Sequence, residues 1–182
     1  MQKKKRTADL TSKQLKKGIF NTQPHICSLN RFPPLPQLKP TIETHLTTKT
    51  PASLYLGEII LAVEHIHKEG IIHRDLKPTN ILFDAEGHLR LADFKESKQI
   101  DDGDRTFTIC GTSVYMAPEI LLEIGYDKSV DWWSVGAIMY QMLTGEIPYF
   151  DLDCGERQNN IYLHKIVYPD YVSTEAENLM RG

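Results

Sequence analysis

Apolar residues first fall into step at Leu56. Leu56, Ile59, Ile60, Val63 and Ile66 recur at i, i+3, i+4, i+7 and i+10, which is one face of a helix. Thr50 suits the cap of that helix, and Pro51 its first turn, where a missing N–H does no harm. Gly70 stops the pattern, and Ile71-Ile72 leads into a polar block. Ile81 to Phe83 and Leu89 to Leu91 then flank the turn Asp84-Ala85-Glu86-Gly87, which predicts a short hairpin. A second helix is predicted from about Ser129 to Leu143, with Trp133, Val135, Ile138, Met139 and Met142 facing inward. Thr144-Gly145-Glu146-Ile147-Pro148 ends it with the residues that end helices. Asn160 to Val167 reads as another short helix, and Ser173 to Met180 begins one more.

Before Pro51 the chain has a different character. Residues 1–53 hold ten Lys and Arg against two Asp and Glu, while the remainder holds eleven against twenty-two, so the net charge of −3 hides a split. The same stretch carries six of the ten prolines, including Pro33-Pro34-Leu35-Pro36, and little apolar sequence to bury. Residues 1–50 are therefore expected to be a basic, proline-containing segment without stable structure, and 51–182 the domain. Lys3-Lys4-Lys5-Arg6 with Lys16-Lys17 has the composition of a nuclear address or a phosphate-binding patch, and equally of a solvated tail, the reading preferred here. Pro33 to Pro36 fits a P-x-x-P ligand, a common pattern of low specificity. No aromatic residues interleave with the charges, so nucleic acid is not an expected partner.

Three scattered cysteines, Cys27, Cys110 and Cys154, match no zinc or disulfide spacing and suit a reducing compartment. No 18-residue apolar run occurs, and no apolar stretch follows the charged amino terminus. Neither a membrane span nor a secretory signal is expected. The expected location is the cytoplasm, with the nucleus as a second address.

The chemistry lies between the predicted helices. His73-Arg74-Asp75-Leu76-Lys77-Pro78-Thr79-Asn80 is followed, one hairpin later, by Leu91-Ala92-Asp93-Phe94. Further on come Thr108-Ile109-Cys110-Gly111-Thr112, Tyr115-Met116-Ala117-Pro118-Glu119 and Asp131-Trp132-Trp133-Ser134-Val135-Gly136. From about residue 54 to 182 the chain resembles the protein kinases. The Cys-Gly-Thr block and the doubled tryptophan resemble the AGC group of serine/threonine kinases, and Tyr55-Leu56-Gly57-Glu58-Ile59-Ile60-Leu61-Ala62 its ribosomal-protein kinase branch. The fold this implies is a kinase-like, mainly α-helical C-terminal lobe with a short β-hairpin.

The resemblance also implies the roles. Asp75 accepts or orients the proton of a substrate hydroxyl, and Lys77 offsets charge on the moving phosphoryl group. Asn80 and Asp93 hold Mg2+ with ATP through oxygen ligands. Thr112 bonds the catalytic Asp and Lys, and Asp131 binds the backbone of the catalytic loop. Thr108 is the regulatory phosphorylation site, with Thr106 a weaker candidate, and its phosphate would pair with Arg74. An upstream activating kinase and a protein substrate are the implied partners. Glu119 pairs, in the family, with an arginine beyond the helix that Ser173 begins. Left without it, a buried Glu119 is expected to cost about 3–5 kcal/mol.

Several features depart from that pattern. Gly18 is the one glycine before Gly57, so no G-x-G-x-x-G occurs there, and no strand lysine of the V-A-x-K kind is present. The small lobe that grips ATP is therefore expected to be absent, and the C-terminal lobe cut short. Lys95 stands where the family has the glycine of Asp-Phe-Gly, and is expected to restrict that loop's backbone. Val114 replaces an acidic residue near the peptide-binding surface, and His73 a tyrosine common in this branch. Glu96 is expected only to pair with a nearby base.

Two functions follow. One is a serine/threonine kinase domain present as a partial chain, binding Mg-ATP weakly and inactive alone. The other is a non-catalytic, pseudokinase-like binding or scaffold protein.

Overall fold

One apolar stripe decides where the other elements sit. The computed structural model describes residues 37–38, 49–148 and 166–181. Helix α1, Lys49–Lys68, begins one residue ahead of the expected Thr50 cap and buries Ala52, Leu56, Ile59, Ala62, Val63 and Ile66. Ile60, the remaining member of the predicted stripe, lies half-buried at its edge. Helix α3, Ser129–Thr144, packs across this face with Val135, Ala137, Ile138, Met139 and Met142. Ile59, Val63, Ile66 and Ile138 are sealed from water at 0–1% exposure. Each such side chain contributes about 1.5–3 kcal/mol relative to staying exposed.

Gly70 closes α1 at φ 74, in the left-handed region, and its N–H reaches the His67 carbonyl at 3.1 Å. The chain continues as β1, Ile71–Ile72. The hairpin appears as read, with β2 Ile81–Phe83 against β3 Leu89–Leu91 and Ile81 opposite Leu91. Its turn is tied by Asp84, which accepts the N–H groups of Glu86 and His88 and the Arg90 guanidinium. Glu58 of α1 fastens the hairpin to the helix by accepting the Leu89 N–H at 2.7 Å.

A second ladder had no counterpart in the sequence reading. β1 pairs antiparallel with β4, Lys98–Gln99, in the register Ile71 opposite Gln99. Lys98 and Gln99 are exposed and polar, so no alternation marked them. This ladder leads into a smaller core of Ile72, Ile100, Ala117, Ile120, Tyr126 and Val130. The short helix α2, Pro118–Leu121, supplies Ile120, and its N-cap is Ala117. Trp133, predicted to face inward, is only half-buried and packs on the smaller core; Trp132 is exposed beside it.

α3 ends as predicted, at Gly145 with φ 79 and its N–H on the Gln141 carbonyl. The last helix, α4, spans Thr174–Arg181, and the Ala176 N–H points to the Ser173 hydroxyl at 3.4 Å. The helix expected over 160–167 falls mostly outside the described residues; Ile166 and Val167, which are described, are not helical.

Most of the segment read as unstructured, with its basic clusters, Cys27 and the Pro33 to Pro36 run, also lies outside the described residues. At Gln37 and Leu38 the expectation does not hold. Gln37 bridges Leu82 of the hairpin, and Leu38 is 0% exposed within the main core. Leu38 stands among prolines and polar residues without a sustained apolar period, so its burial had no strong local signal. No helix among the described residues is long and apolar enough to cross a membrane.

Candidate active site

The polar block between β1 and β2 is held by a carboxylate from far along the chain. Asp131, in the first turn of α3, is fully buried. Its Oδ2 accepts the His73 N–H at 2.8 Å and the His67 ring Nε2 at 2.8 Å, while Oδ1 accepts the Arg74 N–H at 2.9 Å. Arg74 has φ 68, a left-handed conformation that a side chain resists and that needs outside support. Asp131 provides it.

His73 is itself buried and sets the next residue. Its Nε2 reaches the Ala92 carbonyl at 3.0 Å, and its Nδ1 accepts the Asp75 N–H at 3.3 Å. That pattern requires the neutral ring with its proton on Nε2. Burial pushes its pKa down, against the raising influence of Asp131, Ala92, Asp75 and Asp93.

Asp75 then stands in a closed set of contacts. The Thr112 hydroxyl donates to its Oδ1 at 2.7 Å, and the Lys77 ammonium lies 3.0 Å from Oδ2. Lys77 also donates to the Thr112 Oγ1 at 2.7 Å. Asn80 Nδ2 donates to the Asp75 carbonyl at 2.8 Å and to Oδ2 at 3.1 Å. Burial alone would push the Asp75 carboxyl up, but the hydrogen bonds from Thr112, Lys77 and Asn80 together hold it below the usual value. It is a carboxylate at neutral pH.

Asn80 closes the short 3-10 turn Pro78–Asn80 and is 6% exposed. Because its amide nitrogen is used on Asp75, its Oδ1 is a buried acceptor with no hydrogen-bond partner among the described residues. A hard cation fits such an oxygen. Asp93 follows β3 in the left-handed region at φ 61 and ψ 59, ahead of the 3-10 turn Phe94–Glu96. Phe94 tilts against His73 with ring centroids 4.8 Å apart. No group of three or more His, Cys, Asp or Glu placed to hold a metal occurs among the described residues. Two oxygen ligands suit magnesium, which keeps waters and binds substrate phosphates rather than an all-protein cage.

Lys95 sits in the 3-10 turn with no positive φ; the left-handed residue is Asp93. Its side chain turns back so that Nζ lies 2.7 Å from Asp93 Oδ2. That hydrogen bond and the Asp93 charge push the Lys95 pKa up.

The segment that carries Thr112 approaches the loop closely. Gly111 has φ 109, and a Cβ there would lie 2.4 Å from the Arg74 carbonyl oxygen. Only glycine permits this contact. Thr108 is exposed, whereas Thr106 is 2% exposed with its hydroxyl on Lys98 at 2.8 Å, which removes Thr106 as an accessible candidate. Tyr126 joins the two sides: its hydroxyl donates to the Thr108 carbonyl and accepts from the Arg74 guanidinium at 3.4 Å. Arg74 also donates through Nε to the Glu96 carbonyl at 2.6 Å. Glu96 thus meets a base through its backbone. Glu119 is not a buried orphan, as expected from its family pairing. It is half-buried at a groove beside α3, within 3.4 Å of the Ser129 hydroxyl, so the large penalty does not arise.

His67 and Tyr126 were missed in the sequence. One is among several histidines near a helix end, the other a lone tyrosine before a helix; neither lies in a recognisable spacing.

The pattern of the protein kinase domain matches residues 15–181. The chain belongs to the protein kinase family. Among curated relatives, this kinase chain is 47% identical over 131 residues to the serine/threonine-protein kinase AtPK2/AtPK19 of Arabidopsis thaliana, covering 72% of the chain and 28% of the relative. It is 48% identical over 131 residues to ribosomal protein S6 kinase beta of Caenorhabditis elegans, covering 71% and 24%. To human ribosomal protein S6 kinase alpha-6 it is 44% identical over 137 residues, covering 75% and 18%. These relatives carry the AGC-group resemblance read from the kinase motifs. The kinase chain spans 18–28% of the length of these curated relatives.

Proposed function

We propose that this chain is the substrate-side, C-terminal lobe of a serine/threonine protein kinase, which transfers the γ-phosphoryl group of Mg-ATP to protein hydroxyls. The observation that carries the reading is the Asp75, Thr112 and Lys77 contact set, which closes a carboxylate, a hydroxyl and an ammonium within 3.0 Å of one another. Asp75, ionised and fixed on both oxygens, orients the incoming hydroxyl and takes its proton as the bond to phosphorus forms. Lys77 stands beside it to offset charge on the transferred group. Asn80 Oδ1 and the Asp93 carboxylate are the residues to hold magnesium. When bound, magnesium supplies neutralisation of the nucleotide phosphates. The nucleotide-gripping glycine loop and strand lysine are not found among these 182 residues.

Thr108 is the proposed activation site for an upstream kinase. Its exposure and its link through Tyr126 to Arg74 support this, since a phosphate of about −2 charge there would meet the guanidinium. The scattered cysteines support a cytoplasmic location, while the basic run at residues 3–6 has the composition of a nuclear address but is read as a solvated tail.

A second reading, a non-catalytic binding protein, is favoured by one observation: Lys95 lies on the metal-binding carboxylate. The test captures the protein from its native source with an antibody against the segment around Trp132 and Trp133. It is then incubated with labelled ATP and a peptide of ribosomal protein S6, the substrate that the relatives' name suggests. Transfer that disappears in Asp75→Asn supports the kinase reading, and transfer that survives the substitution overturns it. No transfer by the captured protein moves the case to the second reading.

A further inference from the structure

The two acidic residues of the site share a local arrangement. In Asp75-Leu76-Lys77 and in Asp93-Phe94-Lys95 an aspartate is followed two residues later by a lysine. In each, the lysine Nζ returns to the aspartate Oδ2, at 3.0 Å for Lys77 and 2.7 Å for Lys95. Each carboxylate therefore carries its own cation. Lys77 belongs to the phosphoryl-transfer machinery described above, but Lys95 has no such place in it.

We infer that Lys95 is a tethered counter-ion, its ammonium sitting on Asp93 where a divalent cation would bind, so that metal entering this site displaces a residue of the chain itself. This rests on the reading of Asn80 and Asp93 as the metal-binding pair. The two ligands are in unequal states. Asn80 Oδ1 is buried and open, ready for a hard cation, while Asp93 Oδ2 is already covered. Asp93 has little freedom to turn away from its lysine. It is held at φ 61, and the next residue, Phe94, rests on the buried His73 ring. The Ser97 N–H closes the following turn on the Phe94 carbonyl at 3.1 Å, which keeps Lys95 on the short path back.

The lock is partial. The Lys95 side chain is 61% exposed and that of Asp93 31%, so water and salt screen the pair. Lysine is a point charge on a flexible stem, with an alternative in solvent. A divalent ion displaces it, but binds more weakly than at a bare carboxylate. Removing the charge is expected to tighten metal binding by about three- to tenfold, the scale of one screened charge at this distance.

The experiment uses the full chain and Mn2+ alone, whose paramagnetism broadens nearby amide resonances. Dissociation constants come from the broadening of the Asn80 and Asp93 amides in the wild type, Lys95→Gln, Lys95→Gly and the double variant Lys95→Gln with Asp93→Asn. The expected result is tighter binding by about three- to tenfold in Lys95→Gln, a similar gain in Lys95→Gly, loss of the gain in the double variant, and a gain that shrinks as salt is added. Equal affinity in the wild type and Lys95→Gln overturns the inference while leaving the metal site intact. A gain in Lys95→Gly alone also overturns it, because backbone freedom rather than charge would then be the cause. If Mn2+ broadens neither amide in any variant, the metal-site reading fails and the inference with it. Lys95 is exposed and outside both cores, so its substitution leaves folding as a separate matter, checked by the remaining amide spectrum.

Discussion

Removing Asp131 should damage this domain more than removing any surface charge. In Asp131→Ala the buried His73 N–H and the part-buried Arg74 N–H lose their acceptor. An unsatisfied buried donor costs about 1–3 kcal/mol, so the pair sets a scale of roughly 2–6 kcal/mol. Two effects trim it: a desolvated carboxylate is deleted, and Arg74 is released from its left-handed backbone, a relief of about 1–3 kcal/mol. The expected loss is about 2–3 kcal/mol, a sizeable share of the ~5–15 kcal/mol that holds a typical domain. Asp131→Asn should cost less. Its carbonyl oxygen can face His73 and His67, leaving only the part-buried Arg74 N–H opposed by an amide N–H, a loss of about 1–1.5 kcal/mol. Urea unfolding of the full chain with linear extrapolation measures both, and amide exchange should show that His73 and Arg74 lose protection first. An alanine variant within about 1 kcal/mol of wild type would refute the argument, as would an asparagine variant as damaged as alanine.

Three further outcomes follow from the geometry. Thr112→Val keeps the volume but deletes the hydroxyl between Asp75 and Lys77, so the Asp75 carboxyl should titrate nearer its ordinary value, followed by carbon NMR of its side chain. Phosphoryl transfer by the captured protein should fall about 10-fold or more, the scale of losing one positioned group. Gly111→Ala, with a Cβ 2.4 Å from the Arg74 carbonyl, should lower the urea midpoint well below that of Gly125→Ala, where the nearest atoms belong to the exposed Phe107 ring. Equal midpoints would count against the close approach. Acid should weaken the fold in two stages. His73, with its pKa lowered by burial, leaves the native state short of a proton that the unfolded chain gains below 6.5, so stability falls as pH drops through that value. Asp75, also lowered, adds stability that is complete above 3.8 and is lost as pH falls through its folded value. His73→Phe should remove the first stage and keep the second, as read from unfolding midpoints across pH.

Much of this was legible because it was local. The stripe from Leu56 to Ile66, the hairpin around Asp84 to Gly87 and the end of α3 at Gly145 each follow from spacing within a few residues. The block from His73 to Asn80 is likewise a short run, which is why Asp75, Lys77 and Asn80 were recognisable from their order alone. The rest depends on partners distant in the chain. Leu38 gains its place from the hairpin and helix packed over it, and Lys98-Gln99 from the apolar edge of β1. Tyr126 matters only because the fold brings Arg74 and Thr108 to its hydroxyl. Lys95 stood out by its position, but the turn of its side chain onto Asp93 had no signal in the sequence.

The distance in sequence between Asp131 and the loop it anchors has a consequence for how the protein is made. The bonds to His73 and Arg74 join residues 58 and 57 positions apart. At a synthesis rate of about 5–20 residues per second, the ribosome adds Asp131 several seconds after the loop. During that interval the growing chain can complete the hairpin, whose strands are near neighbours, but Arg74 has nothing to keep it left-handed. The loop from His73 to Asn80 is thus a late product of biosynthesis, shaped only when α3 arrives. A ribosome pausing ahead of Asp131 would hold the nascent chain with its hairpin formed and this loop still unmade.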